Sequence, residues 1–279
     1  MTTVPTLELR DGTAIPAIGF GTYPLSGEKG IEAMVSALHH GYRLLDSAVN
    51  YGNEAEVGEA LRRSDLPREE VLLATKVPGR FHRSDLAVQS LRDSAERFGV
   101  ERLDVALIHW PNPSQELYVD AWRGLVRAQQ DGLVRSIGVS NFTQAHLRDI
   151  IEDTGVTPVV NQIELHPYFP QTQMLETHRE LGIQTQAWSP LGKAATPHQE
   201  QVVTSTAEEH GVTPGQVVLR WHVQRGSLPL PKSATPERQR TNLDVFSFEL
   251  TQEQMDSLTA LGRSDGRLFG GDPTVHEEM

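Results

Sequence analysis

Short runs of apolar residues alternate along this chain with longer segments whose apolar positions recur every three or four residues. The runs fall at 17–20, 43–45, 71–75, 104–108, 136–139, 159–163, 183–187 and 227–230. Between and after them, amphipathic spacing predicts helices at 28–40, 53–63, 84–98, 116–131, 143–153, 171–181, 198–225 (broken at Gly211) and 236–243. In the third of these, Ala87, Val88, Leu91, Ala95 and Phe98 share one helical face. Ser84 stands where an N-cap is favoured, and Gly99 where the backbone turns left-handed at a C-cap. Thr143 and Gly155 bracket the 143–153 segment in the same way, and Thr251 opens a last helix to Leu261 with Gly262 as its cap. Eight strand-length runs, each followed by a helix, predict a parallel sheet closed into an α/β barrel. The expected fold is therefore a single (β/α)8 TIM barrel over residues 1–279, with an N-terminal hairpin, an extra C-terminal helix and a tail. The hairpin signal is Asp11-Gly12 between 6–10 and 13–15. A doubly wound open sheet, with fewer strands, is the competing fold.

Composition narrows the function classes. A net charge of −12 disfavours nucleic acid and anionic membrane surfaces as partners. No apolar run approaches the roughly 18 residues of a membrane span, and the first dozen residues lack the basic and apolar regions of a secretion signal. The absence of cysteine excludes disulfides, thiolate nucleophiles and thiolate-bound metals. A cytoplasmic location fits these features. No His-Glu-x-x-His is present, and the adjacent His39 and His40 point apart on a helix, so no metal site is expected.

Candidate chemistry sits at the ends of the runs. Asp46 follows Leu44-Leu45, Tyr51 comes five residues later, Lys76 follows the third run and His109 the fourth. Polar groups at successive strand ends are how a barrel gathers a site from distant sequence. Each residue alone has a bland reading: Asp46 as a cap, Tyr51 as a loop aromatic. Lys76, inside Leu72-Leu73-Ala74-Thr75-Lys76-Val77, resists one, because a partly dry ammonium requires a partner such as Asp46. A phenol ionises near pH ~10, and a neighbouring cation favours phenolate. Tyr51 beside Lys76 is thus equipped to donate a proton and recover it in carbonyl chemistry.

Six ordered blocks carry a family resemblance: 41–54, the strand end at Lys76, 107–111 (LIHWP), 138–142 (GVSNF), 161–168 (NQIELHPY) and 230–238 (LPKSATPER). Together they resemble the aldo-keto reductases, and His-Trp-Pro-Asn-Pro at 109–113 is similar to the bacterial branch that includes 2,5-diketo-gluconate reductases. The resemblance implies NADPH-dependent reduction of a small carbonyl by a monomer. It makes Tyr51 the general acid, Lys76 the cation that lowers its pKa, Asp46 the partner of Lys76, and His109 the group that orients the carbonyl. Ser140, Asn141 and Gln162 match residues that bind the carboxamide, Trp188 an aromatic that stacks on nicotinamide, and Ser189 to Leu191 a border of the pyrophosphate.

No Gly-x-Gly-x-x-Gly or Walker loop is present, which argues against a Rossmann domain. In barrels, phosphate sites come from the loops after the last strands and a helix N-terminus. Lys232, Ser233, Arg238 and Asn242 fall there, and the two cations with Ser233 suit a 2′-phosphate, favouring NADP over NAD. Many relatives have an acid where Thr241 stands. Tyr23, Trp110 and Phe269 are candidate walls of the substrate pocket; a keto-acid would want a cation such as Arg80. The alternative reading is an NADPH-binding sensor or regulatory protein with little turnover.

Overall fold

The computed structural model describes residues 4–193, 196–268 and 270–279. A two-stranded antiparallel hairpin, β1 (Thr6–Glu8) and β2 (Ala14–Pro16), comes first. Eight strands follow: β3 (Phe20–Gly21), β4 (Leu44–Asp46), β5 (Leu72–Val77), β6 (Leu103–Ile108), β7 (Val134–Ser140), β8 (Val160–Glu164), β9 (Gln184–Trp188) and β10 (Leu228–Pro229). Each is parallel to its neighbour, in sequence order. The Gly19 and Gly21 amides donate to Pro229 O and Pro231 O at 3.1 and 3.2 Å, joining the first strand to the last and closing the barrel. The helices are α1 (Gly27–His40), α2 (Glu54–Arg63), α3 (Ser84–Phe98), α4 (Tyr118–Gln130), α5 (Gln144–Thr154), α6 (Thr172–Leu181), α7 (Gln201–His210), α8 (Pro214–Gln224), α9 (Pro236–Leu243) and α10 (Gln252–Thr259). The predicted barrel is the observed fold.

Side-chain alternation along a strand divides two cores. Leu44, Leu72, Ala74, Val105, Leu107, Val160 and Leu228 point into the barrel, and Leu9 and Ile15 of the hairpin region join them as a plug. Leu45, Leu73, Ala106, Ile108, Ile137 and Val139 point outward against Met34, Leu91, Trp122, Leu125 and Ile150 of the helices. All of these residues are buried. Continuing the inward series by two residues reaches Asp46, Lys76 and His109.

Several local expectations change. The hairpin connection spans 9–13 rather than two residues: Leu9 N donates to Thr13 O at 2.9 Å, and the Asp11 carboxylate accepts from Thr13 N at 3.0 Å. Ser84 is the first residue of α3, not its cap. Its amide donates to Asp120 Oδ2 of α4 at 2.8 Å, so a neighbouring helix satisfies the first turn. Gly262 does not cap α10, which ends at Thr259 with Ala260 as its cap; a Cβ at Gly262 would meet the ring of Pro170 at 2.9 Å. The caps at Thr143 and Thr251 are present, each as a capping box, and Gly211 separates α7 from α8.

Three of the buried histidines in this frame titrate far below the ordinary value. Burial pushes His82 and His178 down to about 4 and His222 down to about 3, from an ordinary 6.5. His178 Nε2 accepts from Asn161 Nδ2 at 2.9 Å, which fixes the neutral ring with its Nδ1 proton toward Thr185 Oγ1. A histidine whose folded pKa is depressed contributes stability above the unfolded pKa and loses it as pH falls. Urea unfolding between pH 6.5 and 5 is therefore expected to lose roughly 1.4 kcal/mol per pH unit for each of these residues. His178→Gln is expected to flatten that slope, and a stability independent of pH across this window would contradict the assignment.

Candidate active site

The inward-facing residues at the carboxyl ends of β4, β5 and β6 meet over the plug of the barrel. Lys76 Nζ donates to Asp46 Oδ2 at 2.7 Å and to Ser47 O at 2.8 Å, and lies 3.4 Å from the Tyr51 hydroxyl. The lysine side chain is 0% exposed. Tyr51 ends a single 3-10 turn, Val49–Tyr51, closed by Gly52 at φ 64°. Asn53 fixes this loop: it accepts from Ser47 Oγ at 2.7 Å and donates to Leu25 O at 2.8 Å. His109 stands edge-on to Tyr51, with ring centroids 5.7 Å apart. The four candidates named from sequence are thus one cluster.

Their electrostatics refine the expectation for Tyr51. Burial pushes the phenol up, Lys76 pulls it down, and Asp46 pushes it up again; the net direction is upward. Lys76 opposes the desolvation of phenolate but does not overturn it, and Asp46 works against the pull of Lys76. Burial also works against the charge of Lys76, yet Asp46 and then Tyr51 more than offset it, and its pKa lies above the ordinary value. His109 is pushed down by burial, against an upward pull from Glu278, and is neutral near pH 7.

A second group surrounds the cluster. Gln162 Nε2 donates to Asp46 Oδ1 at 2.8 Å and to Gln186 Oε1 at 3.0 Å, so the candidate carboxamide ligand also holds the carboxylate. Ser140 Oγ donates to Gln162 O at 2.8 Å, and Asn141 Nδ2 to His109 O at 3.0 Å. Trp188 Nε1 donates to Asn141 Oδ1 at 2.8 Å, and the Trp110 and Trp188 rings are 6.5 Å apart. Ser189 adopts φ 48° and begins the turn to Leu191 and Gly192. Across the barrel mouth, Ser233 accepts from Thr235 N at 3.0 Å at the start of α9, and Gln239 Nε2 donates to Ser233 O at 2.9 Å. Lys232 and Arg238 are exposed and make no ion pair among the described residues, while Asn242 is buried. Tyr23 is 57% exposed, 5.0 Å ring to ring from Tyr51. Phe269 lies outside the described residues.

Two contributors were missed. Gln186 carries a buried Nε2 with no hydrogen-bond partner among the described residues, beside Gln162; its place in the inward series of β9 was the available signal. Glu278 Oε1 lies 3.0 Å from His109 Nδ1. It comes from a polar tail with no periodicity, so nothing in its own sequence pointed to the site.

The family model for the aldo/keto reductase family matches residues 17–263. A 2,5-diketo-D-gluconic acid reductase B of Corynebacterium sp. (strain SHS752001) is 54% identical over the whole of both chains. The methylglyoxal reductase DkgA of Escherichia coli (strain K12) is 39% identical over 96% of each. The solved structure of a Gox0644 mutant in complex with NADPH superposes with a TM-score of 0.94 at 39% identity, covering 99% of this chain and 100% of that one. With the barrel closed and the four-residue cluster at its mouth, this chain belongs to the aldo/keto reductase family.

Proposed function

We propose that this protein reduces small aldehydes and ketones to alcohols with NADPH, and that Tyr51 is the proton donor. The observation that carries the reading is the buried Lys76, bound to Asp46 at 2.7 Å and 3.4 Å from the Tyr51 hydroxyl. The acidic, cysteine-free composition fits a cytoplasmic protein, and the reading takes it as a monomer.

The residues present fit a nicotinamide dinucleotide phosphate. Asn141, Ser140 and Gln162 are amide and hydroxyl groups suited to a carboxamide, and Gln186 Nε2 is a buried donor that lacks an acceptor among the described residues. Trp188 offers a half-buried ring for stacking. Lys232 and Arg238 are exposed cations at the start of a helix, flanking Ser233, in a protein of net charge −12. The reduced nicotinamide supplies the hydride.

The chain's own residues do the rest. His109, edge-on to Tyr51, orients the carbonyl and helps to polarise it. Tyr51 holds its proton at neutral pH, the form a reduction requires, and transfers it to the carbonyl oxygen as negative charge develops there. Lys76 then stabilises the phenolate, and Asp46 keeps Lys76 charged and in place. Aromatic rings from Tyr23, beside Tyr51, and Trp110, beside Trp188, suit walls for small uncharged carbonyl compounds.

Tyr51→Phe is expected to lower kcat by about 100-fold or more while leaving NADPH affinity nearly unchanged. This is read by NADPH oxidation at 340 nm over a carbonyl panel together with NADPH fluorescence titration. Unchanged turnover would remove Tyr51 from its role; binding by the unaltered protein without turnover would instead favour a nucleotide sensor. Arg238→Ala is expected to weaken NADPH by about ten- to a hundredfold and NADH far less, since only NADPH has the 2′-phosphate. Equal weakening of both cofactors would make Arg238 a structural residue.

A further inference from the structure

The end of the chain delivers a carboxylate to the cluster through a fitted seat. Glu278 N donates to Asn112 Oδ1 at 3.0 Å, and Glu278 O accepts from the Gly79 amide at 3.1 Å and from Asn112 Nδ2. Asn112 is fully buried at φ 48°. Gly79 has no room for a side chain: a Cβ there would overlap Asn112 Nδ2 and Glu278 O. Asn50 Nδ2 donates to Met279 O at 3.0 Å, Ser114 N to Glu277 Oε1 at 2.8 Å, and the His276 ring lies 4.2 Å from that of Trp110. Loops after β4, β5 and β6 thus clamp the last four residues.

This seat places Glu278 Oε1 3.0 Å from His109 Nδ1 and leaves its Oε2 buried, with no hydrogen-bond partner among the described residues. Burial pushes the carboxyl up, but His109, Asn50 and Lys76 together bring it below the ordinary value, so it is ionised. A buried carboxylate oxygen without a protein donor is costly, and a hydroxyl bound beside it would satisfy it. Because Glu278 touches the His109 ring, a carbonyl held at Tyr51 and His109 would bring the substituent on its neighbouring carbon beside the Glu278 carboxylate. A hydroxyl there supplies the donor; a carboxylate there meets a like charge.

We propose that Glu278 is a specificity-determining residue, selecting carbonyl compounds with a hydroxyl beside the reacting carbon and rejecting 2-keto acids. The inference rests on the reductase reading and names the substrate class of the same site. Hydroxyacetone and pyruvate form a matched pair for it, alike in size and differing in hydroxyl against carboxylate, with methylglyoxal as the reference substrate. The full chain is expected to show a higher kcat/KM for hydroxyacetone than for pyruvate. Glu278→Gln is expected to move the pyruvate-to-hydroxyacetone ratio toward pyruvate by about tenfold or more, chiefly through a lower KM for pyruvate. Glu278→Ala, which also removes the acceptor, is expected to raise the KM for hydroxyacetone. An unchanged ratio, or equal gains for both substrates in either variant, overturns the inference in an enzyme that still reduces methylglyoxal, because the tail is then only an obstruction. Failure of the unaltered protein to oxidise NADPH with any of the three overturns the reductase reading and this inference with it.

Discussion

The ion pair of Lys76 with Asp46 is the constraint on which the site depends. An ammonium that is 0% exposed is tolerable only with its partners in position, and three oxygens surround it: the Asp46 carboxylate, the Ser47 carbonyl and the Tyr51 hydroxyl. Removing one member of such a pair strands the other at a cost of about 3–5 kcal/mol. The requirement therefore fixes the register of β4 against β5 and the path of the loop to Tyr51. Asn53 and Gln162 reinforce it, one by bracing the loop and the other by occupying the second oxygen of Asp46.

The barrel makes this arrangement inexpensive. Period-two alternation that fills the interior with Leu44, Leu72, Ala74, Val105 and Leu107 delivers Asp46, Lys76 and His109 on the next rung. The chemistry thus uses the same geometric rule as the core, one step past its edge. Charge balance follows from position. Lys76 is shared between a carboxylate and a phenol, and burial holds the phenol's pKa above its ordinary value.

The barrel and the four-residue cluster were legible in the sequence because both follow local periodicity. Strand ends were read short where a polar residue follows the run, at Lys76 and Glu164, yet each continues the ladder into the pairs Lys76 with Leu107 and Glu164 with Trp188. What could not be read depends on contacts between distant segments. Asp120 replaces a local cap at Ser84 across 36 residues. Gln162 bridges 116 residues to Asp46, and Glu278 meets Asn112 across 166. The residues proposed to hold the cofactor stand where the sequence placed them, an exposed cation pair and an aromatic at a strand end, but the coupling of Gln162 to the carboxylate was not legible. The upward shift of Tyr51 was also hidden, because it depends on how deeply the ring is buried and on the compensation of Lys76 by Asp46.

The central claim is that Lys76 acts through Tyr51, and a double-mutant cycle in the rate of carbonyl reduction tests it most directly. Tyr51→Phe, Lys76→Met and their combination would be compared at saturating NADPH, with folding checked in parallel. If the lysine serves only the phenol, the double variant reduces substrate no more slowly than Tyr51→Phe alone. If the two losses multiply, Lys76 contributes independently of Tyr51 and the account of the site is wrong.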